Sequence, residues 1–324
     1  MLSRPRTPTL VLIFVTCAMA LGSAAASPQQ RRGAPAPAAP AVQPPPPPAP
    51  ALGRLPAILT LREQAEMYNA WLTVRLERLL PELMRAEGFD MWLVICREGH
   101  EDPVFSSLVP FNTMYASRTT MLVFTDKGPE GIERLSVSRS GIGAFYRSVW
   151  DPDRIGQWER LAEIVTERSP KKIGINESDT FNFGDGITAA LKKQLLAALP
   201  QEYHARIQPA ERLAIRWLER RTPDEMEVYP HIVAIAHGII AEAFSRTVIT
   251  PGVTTTSDVQ WYFRERARQL GLETWFHPTV DIQRPRDTPY GQSDVIHRGD
   301  LLHCDFGIRY LKLCTDTQRM AYVL

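Results

Sequence analysis

The sequence predicts an α/β domain over residues 57–206 and a second domain, of helices followed by strands, over residues 207–324. In the first region, apolar and β-branched runs alternate with helix-period patterns, which is typical of an α/β domain. In the second region, two capped helical patterns precede apolar runs that flank a turn. A hydrophobic content of 44% supplies enough apolar side chains for both cores.

The N-terminal residues predict an export signal. Arg4 and Arg6 precede an apolar run from Leu10 to Leu21, and the small residues up to Ala26 match a cleavage site. A membrane anchor is the weaker alternative, because about 12 apolar residues are too few to span a bilayer comfortably. We therefore expect residues 1–26 to be removed, leaving no stable membrane span, and the protein to be periplasmic or extracellular.

Residues 27–56 predict a spacer. Pro and Ala dominate this stretch, and Pro44–Pro48 is an unbroken proline run. Such a composition cannot bury a core and favours an extended polyproline II conformation. A proline-motif ligand for a partner domain is the alternative to a linker.

Charge and cysteine content narrow the class of protein. A net charge of +1 without a basic block argues against nucleic acid as the main partner. Beyond the export signal, Cys96, Cys304 and Cys314 form an odd set, so at least one thiol has no partner within the chain. The core, rather than a disulfide framework, must then stabilise the exported protein.

The first domain opens with a helical pattern from Thr60 to about Glu87, which Pro81 should kink and Gly88 should end. Seven further elements follow, in the order strand, strand, strand, helix, strand, helix, strand: Met91–Cys96, Thr119–Thr125, Leu135–Ser138, Gln157–Arg168, Lys172–Asn176, Asp185–Leu199 and Ala205–Ile207.

The second domain contains two strong helix starts. After a helix near Glu211–Arg221, Thr222-Pro-Asp-Glu225 has the N-cap, first-turn proline and capping-box glutamate that begin a helix, which we expect to run to about Val248. Thr255 with Asp258 opens the next helix, which ends at Gly271. A strand over Thr274–Ile282 and a polar, proline-rich excursion from Gln283 to Asp294 then lead to the last part of the chain.

The last part of the chain predicts an antiparallel hairpin. Leu301–Ile308 and Leu313–Leu324 have the composition of strands, and a two-residue turn at Tyr310-Leu311 would close them. In that register Asp305 lies opposite Asp316, with Cβ atoms roughly 5 Å apart. Two carboxylates this close either face water or share a divalent cation, which removes their repulsion and prefers oxygen ligands.

The order of these motifs resembles the first half of the metallopeptidase family with the pita-bread fold. That family includes Xaa-Pro aminopeptidases, prolidases, methionine aminopeptidases and creatinases. The resemblance rests on the spacing of the two helices, the second of which ends at Gly271, and of five short motifs: Arg221-Thr-Pro-Asp-Glu225, Ile249-Thr-Pro-Gly252, Gly299-Asp300, Asp305-Phe-Gly307 and Asp316-Thr-Gln-Arg319. It implies an α/β N-terminal domain followed by an incomplete α+β pita-bread (creatinase/aminopeptidase) domain.

The resemblance also implies a chemistry. In peptidase members, two aspartates that match Asp305 and Asp316 join a His and two Glu to hold two divalent ions around a bridging water. Manganese is the first expectation for the metal, with cobalt, zinc or iron as alternatives. The remaining ligands and the general acid/base Glu would lie beyond Leu324, so we expect the chain as given to be inactive alone. A peptide is the implied substrate, and a homodimer is one expected assembly.

Three further residues are candidates for the surroundings of the pair or for a substrate pocket. His303 shares a strand face with Asp305 and could support a ligand, although the family does not require it. His277 and Tyr310, like the neighbouring Trp275 and Phe276, could line a pocket, but aromatic residues beside a sheet more often belong to the core.

The sequence departs from the family pattern in two places. Asp287 stands about where peptidase members place a substrate-binding His, with His277 and His297 displaced from that position. Lys312 stands where many members have Gly in the hairpin, which puts the predicted register in question. Two alternatives to an Xaa-Pro peptidase therefore stay open: an exported binding or scaffold homologue, and a metal-free, creatinase-like hydrolase, which would not need both aspartates.

Overall fold

The computed structural model describes residues 55–285 and 287–324. The predicted export signal and the linker up to residue 54 lie outside the described residues. Within the described part of the chain, no helix is both long and apolar enough to cross a bilayer. The three cysteines in this part are free thiols.

The N-terminal helical pattern forms α1 (Leu61–Val74), a π-helical turn (Arg75–Leu79) and α2 (Leu80–Glu87). Pro81 has no N–H to donate to the preceding turn, which is why it was predicted to kink the helix. The irregularity is the π-helical turn, which lies just before Pro81. Gly88 ends α2 with a φ of 71°, a left-handed conformation that glycine adopts without strain.

A six-stranded mixed sheet follows, and its strand order is β4-β3-β2-β1-β5-β6. The pairs β1/β5, β5/β6 and β3/β4 are parallel, whereas β1/β2 and β2/β3 are antiparallel. The strands are β1 (Met91–Arg97), β2 (Thr119–Asp126), β3 (Ile132–Val137), β4 (Arg147–Ser148), β5 (Ile173–Ile175) and β6 (Ile207–Pro209), and the helices between and after them are α3 (Phe105–Leu108), α4 (Gln157–Arg168), α5 (Ala189–Ala198) and α6 (Glu211–Glu219).

Helices cover both faces of this sheet. Along β1, Trp92 and Val94 point to the core shared with α1, α2 and α6, whereas Leu93 and Ile95 point to the core shared with α4 and α5. The alternation follows from the two-residue period of a strand. The predicted α/β domain is therefore confirmed. The predicted boundary at residue 207 falls inside this layered structure, since β6 and α6 both pack with it.

Two capped helices begin the C-terminal part. They are α7 (Pro223–Ala243) and α8 (Thr256–Gln269), and both begin with the predicted capping box, at Thr222 and Thr255. α7 ends five residues before the predicted Val248.

Two three-stranded antiparallel sheets follow these helices, one ordered β11-β10-β7 and the other β12-β9-β8. Their strands are β7 (Glu273–Thr274), β8 (Thr279–Gln283), β9 (Leu301–Phe306), β10 (Ile308–Tyr310), β11 (Leu313–Cys314) and β12 (Thr317–Tyr322).

The single strand predicted over Thr274–Ile282 is wrong, because this stretch forms β7 and β8 in different sheets. Trp275 leaves the strand direction so that its indole N–H donates to the carbonyl of Thr315 at 2.7 Å. The indole packs where a side chain on Gly307 would lie, so Gly307 has no room for a Cβ atom. The continuous strand predicted up to Ile308 is accordingly interrupted at Gly307, between β9 and β10.

One face of the β12-β9-β8 sheet packs on α7 and α8. Phe263 of α8 stacks on Phe306 of β9 with ring centroids 4.6 Å apart, and Leu302 and Cys304 point the same way. The alternate residues of each strand therefore form the opposite face, which the helices leave open. This open face carries polar side chains from all three strands: Thr279, Asp281, His303, Asp305 and Gln318.

Candidate active site

The hairpin closes one residue later than the sequence predicted. Leu311 and Lys312 form the two-residue turn, with φ values of 53° and 60°, and Tyr310 pairs with Leu313. Asp305 consequently pairs with Gln318, so the predicted register, with Asp305 directly opposite Asp316, is wrong. The physical reason is Tyr310, which is buried in the core, where its hydroxyl accepts a hydrogen bond from the N–H of Leu59 at 2.9 Å and so cannot serve as a turn residue.

The two aspartates still lie on one face. The pairing is shifted by two positions on β12, and a shift by an even number preserves the side-chain face. Asp316 is thus the diagonal neighbour of Asp305 instead of its direct partner, and the two carboxylates remain in side-chain contact. Asp316 is exposed, whereas Asp305 is partly buried.

Asp305 has the properties of a carboxylate that lacks a counterion. Its Oδ1 is buried and accepts no hydrogen bond from any described residue. Burial raises the pKa of Asp305, and the charge and side-chain contact of Asp316 raise it further, against an opposing effect of His303. A divalent cation between the carboxylates would give the buried oxygen a partner and would remove the repulsion. The residues therefore fit the metal that the resemblance implies.

The described residues supply few metal ligands around the aspartate pair. Among residues 55–285 and 287–324, no group of three or more His, Cys, Asp or Glu side chains is arranged to hold a metal ion. Asp305 and Asp316 can supply at most part of the coordination of two ions.

His303 lies beside the aspartate pair on β9. Its Nε2 is 2.9 Å from Oε1 of Gln318 on β12, and its Nδ1 is 3.7 Å from Oδ2 of Asp281 on β8. The ring is thus held between side chains of both neighbouring strands, on the same face as Asp305.

The other predicted pocket residues lie elsewhere. Tyr310 is 2% exposed and belongs to the core. His277 is exposed between β7 and β8, where its ring meets the edge of Trp261 with centroids 5.5 Å apart. Trp275 and Phe276 pack edge to face beside Gly307.

Sequence reasoning missed two polar side chains on the open face, Asp281 and Gln318. The alternation of Thr279, Asp281 and Gln283 in β8 was a signal that these residues share a face. It could not show which strand β8 pairs with, because that pairing joins residues 18 to 26 positions apart in sequence.

A buried ion pair fixes the start of β9. Arg284 makes two hydrogen bonds to the carboxylate of Asp300, at 2.9 and 2.5 Å, and both side chains are about 95% buried. Burial raises the pKa of Asp300, but the hydrogen bonds from Arg284 and from the N–H of His297 outweigh it, and the pKa is lowered overall. Arg284 also donates to the carbonyls of Ser293 and Val295, so the pair ties the excursion before β9 to the sheet.

A polar cavity adjoins the open face. It has a volume of about 340 Å³ and lies between β8, the excursion before β9 and the start of α8. Asp281 and Asp294 contribute carboxylates to its wall.

Comparison with known proteins agrees with this arrangement. Residues 231–324 match the model of metallopeptidase family M24. The resemblance to the pita-bread metallopeptidases is confirmed. The match contains both aspartates and the open face that carries them.

Solved structures of similar fold include aminopeptidases and a dipeptidase at low sequence identity. A putative aminopeptidase P from Bacillus anthracis aligns with a TM-score of 0.55 at 10% identity, over 78% of this chain and 65% of its own. An X-Pro aminopeptidase from Thermotoga maritima aligns with a TM-score of 0.53 at 17% identity, over 74% and 64%. A Xaa-Pro dipeptidase from Bacillus anthracis aligns with a TM-score of 0.52 at 18% identity, over 82% and 65%.

These likenesses support the fold, an α/β domain followed by part of a pita-bread domain. The chain spans about 65% of the length of the first of these relatives. A comparison of the sequence with curated proteins found no match.

Proposed function

We propose that this chain is part of an exported, metal-dependent peptidase that acts at the N-terminus of peptides, with Xaa-Pro peptides as the substrate class. The observation that carries the proposal is the contact between Asp305 and Asp316 on the open face, where a buried Asp305 oxygen has no hydrogen-bond partner among residues 55–285 and 287–324. The M24 match and the X-Pro-specific proteins among the structures of similar fold support the reaction class. The export signal that the sequence predicts over residues 1–26 supports a periplasmic or extracellular location.

Asp305 and Asp316 are the metal ligands of this proposal. Two divalent ions held there would lower the pKa of a bound water and polarise a scissile carbonyl. The ordered strand β9 and the adjoining hairpin hold the carboxylates in place, because Trp275 and Thr315 brace the hairpin where it bends at Gly307. Manganese is the metal we propose, since carboxylate-rich sites suit it.

Residues 1–324 by themselves should have no peptidase activity. Two carboxylates cannot complete the coordination of two ions or position a general acid/base. Incubation of the purified chain with Mn²⁺ and an Xaa-Pro peptide should release no product, and measurable hydrolysis would contradict this part of the proposal.

Metal binding and hydrolysis test the proposal in separate steps. Calorimetry should show that Mn²⁺ binds the full-length gene product and that Asp305→Asn or Asp316→Asn weakens binding, whereas Asp294→Asn, at an exposed carboxylate in the cavity wall, leaves it unchanged. The full-length protein should hydrolyse an Xaa-Pro peptide only when both aspartates are present. If Mn²⁺ binds Asp305→Asn and Asp316→Asn as tightly as the unaltered protein, the metal site is refuted. Tight Mn²⁺ binding without peptide hydrolysis would favour the alternative hypothesis of a non-catalytic binding or scaffold homologue.

A further inference from the structure

The ring of His303 has one nitrogen engaged and one free to bind. With the Gln318 amide oriented so that Oε1 faces the ring, Oε1 accepts a hydrogen bond from Nε2 of His303 in the tautomer that carries its proton there. In the neutral ring this leaves a lone pair on Nδ1, which faces Asp281. Histidines that bind metals have this arrangement, since their second nitrogen commonly donates to a carbonyl or carboxylate that fixes the ring.

The separation between Nδ1 of His303 and Oδ2 of Asp281 also fits a bridging ion. At 3.7 Å it is too long for a hydrogen bond. Two ligands that each lie about 2.1 Å from one metal, at an angle of about 110–120°, are about 3.4–3.7 Å apart. The observed separation thus suits two ligands of one ion, and it also suits a direct ion pair between a protonated His303 and Asp281.

We propose that His303 and Asp281 form a second divalent-metal site, which binds Zn²⁺ or a similar ion through Nδ1 and Oδ2. His303 lies two residues before Asp305 on β9, and the proposed site uses neither Asp305 nor Asp316. It therefore goes beyond the proposed peptidase centre. A nitrogen ligand favours Zn²⁺, Co²⁺ or Ni²⁺ over Mg²⁺ and Mn²⁺.

The surroundings permit such a site. The side chain of Asp281 is 67% exposed and that of His303 is 26% exposed, so an ion can reach both from solvent. Asp281 also borders the polar cavity of about 340 Å³, which has room for the water molecules that would complete the coordination.

Calorimetry of the purified chain with ZnCl₂ tests the site. We expect one equivalent of Zn²⁺ whose affinity falls about tenfold or more in His303→Gln and in Asp281→Asn. His277→Gln is the matched control, because His277 is an exposed histidine that lies against Trp261. Asp316→Asn separates the two proposals: it removes any binding at the aspartate pair but should leave this equivalent intact.

A second readout does not depend on variants. In ¹⁵N spectra of the imidazole rings, addition of Zn²⁺ to the unaltered chain should shift Nδ1 of His303, while Nε2 keeps its proton. The site is refuted if Nδ1 of His303 does not respond to Zn²⁺, or if His303→Gln and Asp281→Asn bind as tightly as the His277→Gln control. Loss of the equivalent only in Asp316→Asn would assign it to the aspartate pair and would also overturn this proposal.

Discussion

Lys312, at the tip of the hairpin, should make the stability of the protein rise with pH in the alkaline range. Its Nζ donates to the carbonyl of Ser106 at 2.6 Å and lies 4.3 Å from the ring centroid of Tyr68. The tip therefore packs against the N-terminal α/β part, where Lys312 is partly buried. Burial lowers the pKa of Lys312 from its ordinary value of 10.5 to about 8.

The sign of the effect follows from the lowered pKa. Between pH 8 and 10.5 the folded protein has released the Lys312 proton while the unfolded chain still binds it, so the free energy of unfolding increases over this window. At about 1.4 kcal/mol per pH unit, the difference between 10.5 and about 8 corresponds to at most about 3.5 kcal/mol. The contacts with Ser106 and Tyr68 favour the charged form, so the measured gain should be smaller.

Urea unfolding of the unaltered chain and of Lys312→Met, from pH 7.5 to 10.5, measures this gain. Relative to Lys312→Met, the unaltered chain should become more stable by about 1–3 kcal/mol across the window. Lys193→Met, at an exposed position of α5, is the control and should show a constant difference. A constant difference for Lys312→Met as well would refute the argument that the folded protein holds a desolvated lysine at the hairpin tip.

Three other substitutions test the packing around the candidate site, each measured by thermal or urea unfolding. Gly307→Ala should cost about 1–3 kcal/mol because its Cβ would overlap neighbouring atoms, whereas Gly141→Ala, which has open space around it, should cost under about 1 kcal/mol. Thr222→Ala removes the cap of α7 and should cost about 1 kcal/mol. Asp300→Asn leaves the buried guanidinium of Arg284 without its charge partner and should cost about 3–5 kcal/mol; a loss under 1 kcal/mol would mean that the pair does not anchor β9.

The sequence could predict that Asp305 and Asp316 share a face, but it could not predict which residue of β12 pairs with Asp305. A two-residue side-chain period places Asp305 and Asp316 on one face for any register shift by an even number, which is why the predicted face is correct although the predicted partner is wrong. The turn was misplaced because Leu311 and Lys312 have few local features of a turn with positive φ, which Asn or Gly would normally supply.

Close packing explains other departures from the predicted strands. Gly307 was predicted to lie within one continuous strand, yet Trp275 fills the space beside it and divides the hairpin between two sheets. Asp281 could not be connected with His303 in advance, since their strands are separated by the excursion that Arg284 and Asp300 anchor.

The sequence by itself determined where α7 and α8 begin and which face of each strand is apolar. Capping boxes join residues three positions apart, and strand alternation joins residues two apart, so both are set by local chemistry. Only the tertiary structure decided the hairpin register and the set of side chains on the open face. The hydrogen bond from Leu59 to Tyr310 joins residues 251 positions apart, and the free energy of burying Tyr310 there is not encoded in any short stretch of the chain.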